Sequence, residues 1–246
     1  MISRMTHTLG CLVLLAFGGS PLASAQDGTT RVAWAPSYSG SCTDCALAGR
    51  NMAGWNLSNA NYPGADLSSA NLRAVKAHSA RFDGANATNI DLRKADLIGA
   101  SFEGTNLDGA LINGANVSGA NLSGAFMRGA RLQGATFVGC TMNDVLATNS
   151  VATRADFSAA NLTDASFAGA DLTDAIFDNA VLSGATLSGA NVAGASFRDV
   201  RFIGANLVGM TAFDEADFEG ACGSRETLVP SGLTLVDCDA ELVGGN

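Results

Sequence analysis

A repeat of five residues constrains the fold of this chain more than any other feature. The stretch from Ala95 to Leu132 reads ADLIG ASFEG TNLDG ALING ANVSG ANLSG AFMRG ARL. The first residue of a unit is usually small, the third is large and apolar, and the fifth is often glycine. First positions fall on residue numbers divisible by five. This register runs from Cys45 for 34 units without an insertion, and its last large position is Ala212.

The five-residue period excludes a regular helix or a flat strand as the main element. Five residues turn an α-helix by about 140° net, so the large apolar residues would spread around all of its sides. In a flat strand the same step moves them to the opposite face each time. The first and third positions of one unit, however, point the same way. A chain that bends after each short extended segment keeps all of them inside a solenoid.

The motif A-(D/N)-L resembles that of the pentapeptide-repeat proteins, and the resemblance extends from about Cys45 to Gly220. Clear examples are Ala65-Asp66-Leu67, Ala120-Asn121-Leu122, Ala160-Asn161-Leu162 and Ala170-Asp171-Leu172. The resemblance implies an all-β fold, a single right-handed quadrilateral β-helix with four pentapeptides per coil. The units then make about eight to nine coils, and a strand spacing of about 4.8 Å gives a rod roughly 40 Å long.

The first 25 residues have the features of a secretory signal peptide. Arg4 supplies the positive charge, Leu9 to Phe17 the apolar region and Ala23-Ser24-Ala25 the cleavage site. An uncleaved anchor is disfavoured because the apolar run is short for a bilayer. A lipoprotein is disfavoured because Cys11 lies at the start of the apolar region instead of following it. We therefore expect a periplasmic or secreted protein that has no transmembrane segment after signal cleavage.

Caps are predicted at both ends because an open solenoid exposes its apolar core. Residues 26–44 form an extended leader and N-terminal cap, with Trp34 or Trp55 covering the first coil. Residues 45–220 form the β-helix, although Ala216-Asp217-Phe218 arrives one residue late and indicates a bulge or an exit. Residues 221–246 form a hairpin-like C-terminal cap with a turn at Pro230 and Gly232.

Five cysteines follow the predicted cleavage site, and in an exported protein they suggest disulfide bonds. We expect Cys42 to pair with Cys45 at the entrance of the solenoid, and Cys222 with Cys238 beyond its exit. Cys140 occupies a small inward position and is predicted to be a buried, inert thiol. A redox-active role for the C-x-x-C motif of Cys42 and Cys45 is disfavoured because no thioredoxin-like βαβ pattern surrounds the motif. Zinc is disfavoured because a second ligand pair is missing.

Residues twenty apart are expected to stack on one another, so that Phe137, Phe157, Phe177 and Phe197 form a ladder that Phe218 extends. Alanine at a large position should be compensated by a larger residue two positions earlier. The pairs are Val75 with Ala77, Val145 with Ala147 and Met210 with Ala212. Ala87 and Ala152 have no such partner, which predicts loose packing. The weakest stretch is expected between Cys140 and Arg154.

No residue pattern indicates catalysis, a cofactor or a metal site. His78, the one histidine beyond the signal peptide, is expected on the surface with no nucleophile beside it. Asp144 and Asp164 should lie one coil apart, where a carboxylate pair could bind a cation, but a solvated surface pair is favoured. Asp and Asn that precede a large apolar residue are expected to hydrogen-bond the corner backbone.

Charge separates two hypotheses for the function. Some pentapeptide-repeat proteins imitate duplex DNA and bind DNA gyrase, and the net charge of −9 is consistent with such a role. Between Cys45 and Phe213, however, 13 acidic residues meet 11 basic ones, a net charge of −2. One row is also predicted to hold several cations, namely Arg73, Arg93, Lys94, Arg131 and Arg154. A DNA-mimic inhibitor or protector of a type II topoisomerase is therefore the alternative, disfavoured further by the signal peptide.

Some outward positions are apolar, and we predict a partner surface at Leu111, Phe126, Leu146 and Val151. Phe126 and Leu146 should be direct neighbours on successive coils. The sequence thus favours a non-enzymatic exported scaffold or protein-binding rod, whose partner is an unknown protein or envelope component and not nucleic acid. A metal- or ligand-binding envelope protein is a second alternative. The oligomeric state is left open.

Overall fold

The computed structural model describes residues 40–238, in which parallel β-bridges join residues twenty apart. Ser41 bridges Asn61, Ala46 bridges Asp66, and the series continues with one bridge for every five residues. Each coil therefore takes four pentapeptides, and the chain is a β-helix. Within the described range no helix is long and apolar enough to cross a membrane. The predicted signal peptide, Trp34 and the last eight residues lie outside that range.

The unit Ala65, Asp66, Leu67, Ser68 and Ser69 shows the five positions that recur throughout the β-helix. We call them the small, bridge, large, turn and corner positions. From residue 57 to residue 210 the small and large positions are buried, whereas the other three are on the surface. Backbone hydrogen bonds join each coil to the next, as from the Leu67 N–H to the Asn86 carbonyl at 2.7 Å. The coils thus satisfy their backbone polar groups through one another.

Corner positions require a left-handed backbone, because the chain turns there after every extended segment. Gly104 and Gly134 have φ values of 60° and 61°, a region that glycine enters without steric cost. Asn and Asp hold several other corners, since their short polar side chains tolerate this conformation. Ala74 and Lys94 have φ values of 52° and 58° and lack that advantage. The glycine at the end of so many units is thus explained by backbone geometry.

Asn and Asp at the bridge position stabilise the turn that follows, as the sequence predicted. The Asp66 carboxylate accepts the Ser68 N–H at 3.0 Å, and the Asn121 carbonyl oxygen accepts the Ser123 N–H at 3.1 Å. Hydrogen bonds from Ser68, led by its side chain, lower the pKa of Asp66. Most of the polar residues beside the core therefore have a local structural role.

The core contains two columns of stacked aromatic rings. Phe137, Phe157, Phe177, Phe197 and Phe218 follow one another at centroid distances of 4.9 to 5.0 Å, which confirms the predicted ladder and its extension to Phe218. The second column, which was not predicted, joins Tyr62, Phe82 and Phe102 at 6.0 and 5.0 Å. The twenty-residue coil brings these rings into contact.

The predicted replacement of lost volume, by a larger residue two positions before an alanine, is confirmed at two of the three predicted pairs. Ala77 and Ala147 are buried beside Val75 and Val145, as predicted. The prediction for Ala212 is wrong, because this residue is half-exposed and has a left-handed backbone with φ 55°.

Ala87 also differs from the expectation. Ile90 is buried at the next small position and donates its N–H to the Ala87 carbonyl at 3.1 Å. A large residue on the other side of the alanine thus supplies the missing volume. Ala152 lies between the small residues Ser150 and Ala155, and the hydroxyl of buried Ser150 has no hydrogen-bond partner in the described part of the chain. The side chains around Ala152 therefore have a smaller total volume than those around Ala87, and we call this stretch the smaller-volume stretch.

The β-helix continues through the predicted bulge into the C-terminal cap. A 3₁₀ helix at Phe213–Glu215 adds one residue to the coil, so that Ser196 bridges Asp217. Asn206 then bridges Leu228. Strand β1 (Cys222–Gly223) pairs in parallel with β2 (Val236–Asp237). The expected hairpin-like cap is wrong, because a hairpin is antiparallel. The tail instead makes another parallel turn.

Candidate functional site

One face of the β-helix carries six basic side chains along successive coils. This basic face consists of the pentapeptides that begin at residues 50, 70, 90, 110, 130 and 150. Its cations are Arg50, Arg73, Arg93, Lys94, Arg131 and Arg154, and all are exposed except half-buried Arg93. The predicted single row is wrong, because these residues occupy several positions of the pentapeptide. They share a face and not a row.

Four of the six cations have no ion pair among residues 40–238: Arg50, Arg73, Lys94 and Arg131. Arg93 holds Asp91 through two hydrogen bonds of 2.6 and 2.8 Å. These bonds, together with the positive charges of Arg93 and Arg73, lower the pKa of the Asp91 carboxyl group. Arg154 lies 3.7 Å from Asp174, although both side chains are largely exposed. The basic face therefore keeps an excess of positive charge.

Half of the six other Lys and Arg residues in the range 40–238 are paired with neighbouring carboxylates, whereas Lys76, Arg201 and Arg225 have no ion pair in that range. Arg81 pairs with Asp83 at 2.8 Å, and Arg128 with Asp108 at 3.0 Å. Arg198 contacts Asp217 at 2.6 Å and also Glu219. The hydrogen bond from Arg198 helps to lower the pKa of Asp217, after that from the Glu219 backbone. The basic face thus carries four of the seven Lys and Arg residues that have no ion pair among residues 40–238.

The four residues of the predicted partner surface are divided between two faces. Phe126 bridges Leu146 on the next coil, as expected, and we call these two residues the apolar pair. Leu111 and Val151 lie on the basic face, where Arg131 bridges both and separates them. All four are half-buried. The Arg128 guanidinium lies 5.2 Å from the centre of the Phe126 ring and covers part of it.

His78 lies closer to a carboxylate than the sequence indicated. Its Nε2 is 2.6 Å from Asp96 Oδ2, although the two groups are not aligned as an N–H···O hydrogen bond. The side chain is 36% exposed, so His78 lies on the surface as expected, although beside a carboxylate. A signal for the contact was available in retrospect, because side chains eighteen residues apart meet elsewhere, as Asn121 and Glu103 do. Among residues 40–238 no nucleophile is hydrogen-bonded to His78.

Asp144 and Asp164 both occupy exposed corner positions with φ near 58°. They lie twenty residues apart and therefore on successive coils, as expected. Within residues 40–238 no group of three or more His, Cys, Asp or Glu side chains is arranged to hold a metal ion. The structure explains both residues by their backbone conformation, which Asp tolerates.

The cysteines form the disulfide bonds that the sequence predicted. Cys42 is bonded to Cys45 and Cys222 to Cys238, one bridge near each end of the described range. Cys140 is free and buried, and its thiol donates to the Val117 carbonyl oxygen at 3.1 Å. Burial raises the pKa of this thiol to about 11, so Cys140 is mostly the unreactive thiol at neutral pH.

The C-terminal turn encloses a shallow, open depression that the sequence did not suggest. Its lining includes Ser224, Arg225, Thr227 and Leu235. The Thr227 hydroxyl is already used, since it donates to the Phe202 carbonyl oxygen at 2.7 Å and accepts the Ser224 N–H at 2.8 Å. These polar groups close the last turns onto the β-helix rather than converge on a ligand.

The family model described as pentapeptide repeats matches the chain in overlapping segments that cover residues 41–220. The matched segments are 41–76, 51–86, 78–114, 110–146, 140–179 and 180–220. Together with the twenty-residue coil, this match shows that the chain belongs to the pentapeptide-repeat family.

Comparison with individual proteins adds little to this assignment. No curated protein matches the sequence significantly. Among solved structures, the chain is similar to HetL of the cyanobacterium Nostoc, a pentapeptide-repeat protein involved in heterocyst differentiation regulation. The two are 27% identical over 78% of this chain and 90% of HetL, with a TM-score of 0.49. A trypsin-treated QnrB1, a plasmid-mediated fluoroquinolone resistance protein, is 18% identical over 76% and 92%, with a TM-score of 0.37.

Proposed function

We propose that the protein is a non-enzymatic exported scaffold, a rod that binds another protein or an envelope component. The apolar pair, Phe126 and Leu146, is the proposed centre of the contact, and Leu111 and Val151 on the adjacent face are further contacts. A right-handed, four-sided rod of about eight to nine coils, as the family's fold implies, would present these side chains on a rigid surface. The observation that carries the proposal is the bridge between Phe126 and Leu146.

The packing of the apolar pair supports a binding role. Bridge positions are mostly polar in the rest of the chain, whereas here two large apolar side chains follow one another. Arg128 lies over the Phe126 ring and is itself held by Asp108 at 3.0 Å. Such an aromatic residue with a fixed arginine beside it resembles the anchors that dominate protein interfaces.

Two other functions have less support. Imitation of duplex DNA requires a negative rod, but residues 45–213 carry a net charge of only −2, and one face is basic. A metal- or ligand-binding role rests on Asp144 and Asp164, whose carboxylates are exposed corner groups without a third acidic or histidine neighbour among residues 40–238. The scaffold is therefore the function that we propose.

A pull-down from a periplasmic extract tests the protein contact. The bait is the chain from Gln26 onward, compared with its Phe126→Asp variant. A matched control is Ile98→Asp, which places the same charge at an exposed apolar residue outside the apolar pair. We expect a specific partner to be lost with Phe126→Asp and retained with Ile98→Asp. A partner list that is the same for all three baits would contradict the proposed surface.

Export is tested by determining the N-terminus of the protein made in a bacterial host. We expect a mature chain that begins near Gln26 and is recovered from the periplasm or the medium. Mature protein found only in the cytoplasm would contradict the proposed location and would restore the topoisomerase alternative.

A further inference from the structure

The basic face and the apolar pair lie on different faces of the β-helix. The proposed contact at the apolar pair therefore does not explain the cations of the basic face. Cations appear on five of the six coils that form the basic face, and only the pentapeptide that begins at residue 110 lacks one. Adjacent coils are about 4.8 Å apart, so the charges extend over roughly 25 Å. The only carboxylate on this part of the face is Asp91, which is held by Arg93. We propose that this face binds a linear acidic polysaccharide along the axis of the β-helix.

The shape of the charged area favours a polymer over a membrane. Beyond Arg154 the same face continues with the carboxylates of Asp171 and Asp174. A bilayer lying against the face would meet these acidic groups as well as the cations. A polymer segment can occupy the basic half alone. The positive charge is therefore confined to a strip along the axis of the β-helix. A linear polymer with a series of anionic groups has the shape to occupy such a strip.

Neutral polar groups between the cations favour a sugar polymer. Asn71 donates through its side-chain amide to the Asn51 carbonyl oxygen at 3.0 Å, and the Asn113 amide donates to Gln133. Each amide keeps further capacity to donate or accept. Hydroxyl groups of a sugar need both functions, whereas a chain of phosphates needs only donors. The combination of cations with amides thus fits a polysaccharide that carries carboxylates and hydroxyls.

A protein partner centred on this face fits less well than one centred on the apolar pair. Leu111 and Val151 are its apolar bridge residues, and Arg131 separates them. Protein interfaces usually contain a continuous, well-packed group of anchors at their centre. Exposed arginines and lysines without such anchors instead give binding that depends strongly on salt.

Direct binding of polygalacturonate, a linear polymer of carboxylate-bearing sugars, tests the proposal. The test variant is the triple substitution Arg73→Ser, Lys94→Asn and Arg131→Ser, which removes three cations that have no ion pair. Asn is chosen at position 94 because it tolerates the left-handed corner. The control is the triple substitution Lys76→Ser, Arg81→Ser and Arg201→Ser, which removes the same charge from other faces.

We expect the wild-type chain to bind polygalacturonate at low salt. The affinity of the test variant should be lower by about tenfold or more. Affinity should fall steeply with salt for the wild type and less steeply for the test variant. The control triple variant and Phe126→Asp should bind like the wild type. A melting curve for each variant shows that the chain is folded.

Four results would overturn the proposal: no binding of the polymer, an equal loss in the control triple variant, preferred binding of phosphatidylglycerol vesicles, or preferred binding of single-stranded DNA. Phe126→Asp leaves the cations of the basic face unchanged. A failure of the polysaccharide proposal can therefore be distinguished from a failure of the proposed protein contact.

Discussion

Phe157 and Phe177 lie face to face on successive coils, with their ring centroids 4.9 Å apart and their planes inclined by 12°. Phe167 packs edge-on against both, at 5.5 and 6.0 Å. All three side chains are fully buried. Stacked and edge-on aromatic pairs contribute roughly 0.5–1.5 kcal/mol each beyond the burial of their surface. This cluster therefore stabilises the part of the rod that follows the smaller-volume stretch around Ala152.

Truncation of Phe157 should be among the most destabilising substitutions. Phe157→Ala removes a ring from the middle of the ladder, and we expect a loss of about 3–5 kcal/mol in the free energy of unfolding. Phe126→Ala is the matched control, since that ring is half-buried on the surface and its loss should cost much less. Denaturant unfolding of both variants provides the comparison. Equal destabilisation would show that the ladder is not the main source of stability here.

Alanines at corner positions offer a route to a more stable chain. Ala74 and Ala159 have φ values of 52° and 55°, a conformation that is unfavourable for residues with a Cβ atom. Ala74→Gly and Ala159→Gly should each raise the free energy of unfolding by about 0.5–1 kcal/mol. Ala53→Gly, at a turn position without positive φ, should lower it. A lower melting temperature for all three variants would contradict the role assigned to the corners.

The thiol of Cys140 should react only when the chain unfolds. Its pKa of about 11 keeps it protonated at pH 8, and it is buried. A thiol-labelling assay should show no modification of the native protein and full modification in denaturant. Since the folded thiol holds its proton above the ordinary pKa near 9, its contribution to stability should decrease as pH rises from about 9 to 11.

The position of Cys140 also predicts which replacement is tolerated. Thr105 is buried at the same position of its unit and donates to the carbonyl of the residue 23 before it, Phe82, at 2.7 Å. Cys140 makes the corresponding contact with Val117. Cys140→Ser should therefore keep the hydrogen bond and cost less stability than Cys140→Leu, which overfills the site. The reverse order in denaturant unfolding would contradict this reading of the site.

Asp91 should contribute to stability at neutral pH and lose that contribution in acid. Arg93 lowers the folded-state pKa of this carboxyl group, so the unfolded chain takes up the proton first as pH falls. The contribution is complete above the unfolded pKa of about 4 and declines as pH decreases through the lowered folded value. Asp91→Asn should flatten the stability profile in that range. Asp214→Asn, at an exposed residue that has no ion pair among residues 40–238, is the control.

Much of the candidate surface could not be predicted because it depends on contacts between coils. The sequence indicated that Phe126 and Leu146 are neighbours, since a twenty-residue coil follows from the family resemblance. The same rule places Arg131 between Leu111 and Val151. The sequence did not show that Arg128 covers part of the Phe126 ring. The direction of the Arg128 side chain depends on Asp108, which lies twenty residues earlier on the neighbouring coil. For the same reason Asp96 was missed as the neighbour of His78.

The sequence by itself determined the repeat, the buried positions and the column of phenylalanines. A five-residue period leaves few ways to bury a large apolar residue in every unit, so local pattern and tertiary fold coincide. Only the tertiary structure decided how the C-terminal tail pairs, how Ile90 fills the space beside Ala87, and which cations remain unpaired. Those outcomes depend on the distance and direction between groups in different coils, which the order of residues within one unit does not contain.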